Sequence, residues 1–177
     1  ELVNKGLILA GHDISAGGLI TTLLEMCFAN TEGGMEINLD KIKCDDIVKI
    51  LFAENPGVVI QVADKHKAEV KKILEDAGVG YVKIGVPTEE RHILATLHDA
   101  TYQFGIDYLR DVWYSTSYLL DRKQSMNGCA KKRFENYKQQ PLEFVFDKSF
   151  TGKLSQFGLD PNRRTPSGIK AAIIREK

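Results

Sequence analysis

The residues with the most chemistry per unit length lie in one short stretch, Ala10 to Ile20, which reads AGHDISAGGLI. It holds an imidazole (His12), a hard carboxylate (Asp13), a hydroxyl (Ser15) and a glycine pair, Gly17-Gly18, just before an apolar segment. Ser15 stands where an N-cap belongs, ahead of a helix carrying Leu19 and Leu23. Without side chains at Gly17 and Gly18, backbone N–H groups at the helix start can approach an anion, aided by the positive end of the helix dipole. Asp13 would repel that anion unless a cation lay between them. Magnesium, which bridges one or two carboxylates to nucleotide phosphates, reconciles the two. The chemistry expected is therefore a Mg-nucleotide site, with Asp13 on the metal and Ser15, Gly17 and Gly18 on the phosphates. The same residues also read as a plain strand-to-helix turn, with Asp and Ser as caps and Gly-Gly as a tight connection. Both readings stand on spacing alone. His12 suits a hydrogen-bonding role better than acid–base catalysis. Glu54, in the turn Glu54-Asn-Pro-Gly57, can face the same cleft.

The elements around this stretch follow from apolar periodicity. Leu7 to Ala10 reads as a buried strand entering the turn. Ile20, Leu23, Leu24, Cys27 and Phe28 recur at helical spacing, with Thr21, Thr22 and Glu25 outside that stripe. Met35, Ile37 and Leu39 alternate with polar residues as a strand does. Residues 45–52 form a short helix, and Val58 to Val62 a β-branched strand. A helix over residues 66–77 has Val70, Ile73, Leu74 and Ala77 on one face and stops at Gly78. Tyr81–Ile84 and Ile93–Leu97 are further strands. The alternation predicts an α/β (α+β) sandwich, a mixed sheet with helices on one face. Past Ile106 the pattern becomes a helix over residues 107–123, with Leu109, Val112, Trp113 and Leu120 inward, and a polar surface helix over 131–140. Residues 144–166 form an aperiodic linker whose Phe144, Phe146, Phe150 and Phe157 dock on a neighbouring domain. Arg163-Arg164 reads as a solvated pair.

Composition narrows the function classes. Twenty-four basic residues balance 24 acidic ones over 177 residues, which argues against a general nucleic-acid binder. No apolar run approaches the roughly 20 residues of a membrane span, and no signal peptide is evident. Cys27, Cys44 and Cys129 are odd in number and far apart, fitting neither a disulfide framework nor a zinc site but a reducing cytoplasm. Each reads as a small apolar filler. His66, His92 and His98 lie on polar stretches with no metal-ligand spacing. Glu1–Lys5 reads as the end of a helix and Ile169–Ile174 as a fresh strand, so the chain is expected to be a piece of something longer.

Three blocks in order, GHDISAGGLITTLLEMCFA, LFAENPGVVIQV and IKAAIIREK, resemble the large single-chain form of phosphoribosylformylglycinamidine synthase, the glutamine-dependent ligase of purine biosynthesis. The resemblance implies a synthetase C-terminal-type domain over residues 1–106, of the fold shared with aminoimidazole ribonucleotide synthetase. It also implies a helical and irregular linker over 107–168 and the first strand of a truncated glutaminase domain over 169–177. The implied reaction activates the amide oxygen of formylglycinamide ribonucleotide with ATP as an iminophosphate, and glutamine-derived ammonia displaces the phosphate. Asp13 then falls on magnesium, Ser15 on ATP, Gly17 and Gly18 supply backbone donors, and His12 orients the turn; no residue here is catalytic. The implied partners are the rest of the same chain (the first synthetase half and the glutaminase) and the substrates ATP, formylglycinamide ribonucleotide and glutamine. No nucleic acid or membrane is involved, and the location is cytoplasmic. The other magnesium ligands, the adenine pocket and the glutaminase catalytic residues lie outside these residues, so this piece is expected to be inactive alone. Ala16 stands where many relatives carry aspartate. Two alternatives remain: a noncatalytic domain holding structural nucleotide, and a docking module whose turn is only a cap.

Overall fold

The computed structural model describes residues 1–139, 145–165 and 168, and the chain divides into two units, residues 1–139 and 140–177. The first carries six strands and five α-helices in the order β1 (Ala10–Ile14), α1 (Gly18–Phe28), β2 (Gly34–Asn38), α2 (Ile47–Phe52), β3 (Gly57–Gln61), α3 (Lys67–Asp76), β4 (Gly85–Thr88), β5 (His92–Leu97), β6 (Ala100–Gly105), α4 (Ile106–Gln124) and α5 (Cys129–Glu135). The α/β sandwich holds, but its strands divide into two sheets. β1 pairs antiparallel with β3, and a mixed sheet runs β4-β2-β5-β6 with β2 and β5 parallel.

The core forms where the α1 stripe meets the mixed sheet. Leu19, Ile20, Leu23, Leu24 and Cys27 of α1 cluster with Ile37 and Leu39, with Ile50 and Leu51 of α2, and with Ile93, Ala95 and Leu97 of β5. In β5 exposure alternates along the strand, as expected for one face on a core. Asp46 caps α2, its carboxylate accepting from the Val48 and Lys49 N–H groups.

Several expectations need correcting. The first strand is Ala10–Ile14, not Leu7–Ala10: Leu7 is buried just after a turn over residues 2–6, and pairing with β3 sets the strand. Tyr81–Ile84 is not a strand; Tyr81 and Val82 are exposed, and pairing with β2 begins at Gly85. Thr22 is buried, because its hydroxyl donates to the Asp13 and Gly18 carbonyls and so satisfies itself inside. On α3 only Val70 is fully buried. In α4 the buried positions are Ile106 and Arg110, while Val112, Trp113 and Leu120 are exposed. Sequence reading also missed β6, which hairpins with β5 through His98, the one described non-glycine residue at positive φ (51°).

The α4–α5 segment is tied to the rest of the first unit through Asp107. Its carboxylate accepts from Arg91 Nε at 3.0 Å, from Tyr137 Oη at 2.7 Å and from the Lys138 ammonium. Arg91 also donates to the Cys27 carbonyl near the end of α1 and to the Gly33 carbonyl just before β2. Partial burial pushes the Asp107 carboxyl up, but the bonds from Lys138, Tyr137 and Arg91 outweigh it and hold the group down at about 2. In the second unit Phe146, Phe150 and Phe157 pack on one another, with centroids 4.8 and 6.3 Å apart. Phe144 and the strand expected over 169–177 lie outside the described residues.

Candidate functional site

The end of β1 and the start of α1 bring the opening stretch together. Alternation along β1 turns His12 and Ile14 inward and Asp13 outward, where the aspartate side chain is 73% exposed. Ser15 is exposed and is not the N-cap. That position is Gly17, which no side chain caps; its φ is +84°, and Gly18 follows at +72°. The left-handed backbone explains both glycines. At Gly18 space matters as well: a Cβ would come within 2.7 Å of the Leu51 carbonyl oxygen and the Phe52 backbone, so the start of α1 is pressed onto the end of α2.

That contact places Glu54, two residues past Phe52, beside the glycine turn. Its carboxylate accepts the Gly17 N–H at 2.9 Å, and the Gly18 N–H donates to the Ser15 carbonyl at 3.0 Å. The donors expected to stand free for an anion are thus both engaged. One of them already holds an anion, a carboxylate supplied by the chain, at the positive end of the α1 dipole. Among the described residues no group of three or more His, Cys, Asp and Glu is arranged to hold a metal. Asp13 is an exposed carboxylate with the His12 Nδ1 3.5 Å from its Oδ1. It suits a magnesium ion whose remaining ligands come from phosphates and water, and not an all-protein cage.

His12 faces away from the turn. Its Nδ1 lies 2.8 Å from the Asp13 carbonyl oxygen and its Nε2 3.2 Å from Glu25 Oε2. Glu25 Oε1 accepts the Trp113 indole N–H at 2.9 Å. These groups border a cavity of about 480 Å³ walled by Phe28, Tyr114, Tyr137 and the buried Arg110. The Arg110 guanidinium lies over the rings of Tyr137, Tyr114 and Phe134 at 4.0, 4.8 and 5.2 Å, and it donates to the Phe134 carbonyl. Sequence reading missed this side of the site, because Glu25 and Trp113 are 88 residues apart and no local period links them. Of the remaining histidines, His98 bonds Asp40 and Asp45 at the far end of the mixed sheet. All three cysteines are free, Cys27 buried with its thiol pushed up by desolvation.

With this geometry in hand, residues 1–98 match the family model described as AIR synthase related protein, C-terminal domain. The chain belongs to this family. Among relatives of this AIR synthase-related C-terminal domain, phosphoribosylformylglycinamidine synthase of Homo sapiens is 34% identical over 133 residues, covering 73% of the chain and 10% of that protein. Its counterpart from Saccharomyces cerevisiae is 32% identical over 183 residues, covering 98% of the chain and 13% of that protein. The chain thus spans about a tenth of the length of these relatives. Among solved structures, T. maritima PurL complexed with ATP superposes with a TM-score of 0.54 at 16% identity, over 61% of the chain and 20% of that chain. This likeness establishes the fold. Among the described residues no helix is long and apolar enough to cross a membrane.

Proposed function

We propose that the chain is a C-terminal-type portion of the synthetase region of a cytoplasmic phosphoribosylformylglycinamidine synthase. In that ligase it contributes part of a Mg-ATP site and is inactive alone. The whole enzyme would use ATP to activate the amide oxygen of formylglycinamide ribonucleotide, and ammonia from glutamine would displace phosphate to give the amidine. The observation that carries the reading is the junction of Asp13, the Gly17-Gly18 turn and the start of α1, within a domain whose relatives bear that enzyme's name.

The geometry supports a role for each residue. Asp13 points to solvent from the end of β1 and would hold magnesium, which would offset charge on the phosphates as the phosphoryl group transfers. Ser15 is exposed beside it, with its hydroxyl free of any capping duty, and would donate to a phosphate oxygen. Gly17 and Gly18 would let the phosphates approach the backbone. At the Gly17 N–H a phosphate would exchange with the Glu54 carboxylate, one anion replacing another. His12 would orient the turn from its inner side. One carboxylate and one hydroxyl neither complete an octahedral magnesium shell nor bury a nucleotide, so the rest of the synthetase region, its first half included, would supply the remainder, while the glutaminase would supply ammonia.

The test is Asp13→Asn and Ser15→Ala in the full-length ligase. Because Ser15 makes no cap, Ser15→Ala should leave stability within about 0.5 kcal/mol while raising KM for Mg-ATP. Asp13→Asn should lower ATP-dependent turnover with glutamine hydrolysis intact. Parent-like kinetics in both variants would reject the nucleotide role.

A further inference from the structure

One unbroken set of contacts reaches the Asp13 peptide from α4. The Trp113 indole N–H donates to Glu25 Oε1, Glu25 Oε2 faces His12 Nε2, and His12 Nδ1 faces the Asp13 carbonyl. That carbonyl also accepts the Thr22 hydroxyl at 3.0 Å, so it is gripped from α1 on one side and from the imidazole on the other. Trp113 is itself fixed. Its ring packs at 5.3 Å against Phe28, which lies one helical turn beyond Glu25 on the same side of α1, and against Tyr114. The Glu25 and His12 side chains are 24% and 32% exposed. They are withdrawn enough from water for a fixed partner to set their orientation.

We infer that Trp113 and Glu25 are positioning residues: acting through His12, they hold the Asp13 peptide and thereby set where the Asp13 carboxylate projects. The imidazole reaches the carboxylate in two ways: Nδ1 lies 2.8 Å from the Asp13 carbonyl oxygen, which holds the peptide, and 3.5 Å from Asp13 Oδ1 itself. The purpose of that orientation rests on the Mg-nucleotide reading; the relay itself does not. It makes α4 part of the site's architecture, although α4 lies outside the matched family domain.

Trp113→Phe separates packing from hydrogen bonding, since it keeps a ring against Phe28 and deletes the indole N–H that donates to Glu25 Oε1. In the 177-residue chain with 15N-labelled histidine, and with His12 assigned by His12→Asn, Trp113→Phe should move the His12 ring resonances while the melting midpoint changes by no more than about 2–4 °C. His12 resonances identical to the parent's would overturn the relay. In the full-length ligase Trp113→Phe should raise KM for Mg-ATP about fivefold, the weight of one ordinary hydrogen bond, with a smaller change in kcat. An unchanged KM beside a clear Asp13→Asn effect would overturn the positioning role. If Asp13→Asn is also without effect, the nucleotide reading falls, and the histidine spectrum alone decides the relay.

Discussion

Asp107→Asn tests how the α4–α5 segment is held to the domain. The carboxylate accepts from Arg91, Tyr137 and Lys138, and its pKa lies at about 2 against an ordinary 3.8. That interval corresponds to about 2.5 kcal/mol; with the side chain 36% exposed, screening reduces the contribution to about 1–1.5 kcal/mol. The folded-state value is depressed, so this stability is fully present above about pH 4 and is lost as pH falls through 2. Urea unfolding followed by circular dichroism should place the variant about 1–1.5 kcal/mol below the parent at pH 7, with the gap shrinking to about half at pH 3. Tyr137 gives a second readout. Burial first, and then its bond to Asp107, push the phenol up to about 12, so ultraviolet titration should find it lower in the variant. A destabilisation of the same size at both pH values would refute the charge-based account.

Two substitutions at the turn complete the set. Gly18→Ala puts a Cβ within 2.7 Å of the Leu51 and Phe52 backbone at φ +72°, which should cost about 2–4 kcal/mol; a thermal melt within about 2 °C of the parent would refute the close approach. Glu54→Gln keeps an oxygen acceptor for the Gly17 N–H but removes the charge that would compete with phosphate in the proposed site. It should strengthen Mg-ATP binding a few-fold in the full-length ligase, and a weakening there would count against anion exchange at Gly17.

What the sequence discloses here is whatever has a local period or a local steric cause. Four of the five stripe positions of α1 are fully buried, with Phe28 packed beside them, because a 3.6-residue repeat marks a face whatever it later packs on. The Gly17-Gly18 pair is legible because only glycine adopts that backbone cheaply. The misreadings share another physics. Leu7 looks like strand, but the register with β3 decides where β1 begins. Trp113 reads as a core residue of α4, yet it is half-exposed and Arg110, which no apolar pattern marks, is the buried one. The aromatic faces of Tyr114, Phe134 and Tyr137 accept the guanidinium, two of them from beyond the end of α4, while the indole stays half-exposed to bond Glu25. Partners that far apart leave no periodic trace. The cap at Ser15 failed for a third reason: a left-handed glycine ended the turn first.

The two sides of β1 divide the work of the site. On the outer side lie the groups that would meet a nucleotide: the exposed Asp13 and Ser15, and the glycine turn, where Gly18 is packed on the end of α2. An exposed carboxylate on a strand end, with an imidazole nitrogen 3.5 Å from one oxygen, still has wide freedom, and a magnesium ion tolerates little angular error in its ligands. Precision must therefore come from the backbone that carries the carboxylate. On the inner side that backbone is held by Thr22, which is buried in α1, and by His12, which is steadied from Glu25. The rigidity that would position Asp13 thus originates in the packed face of α1, and the proposed site depends on what lies beneath the exposed motif.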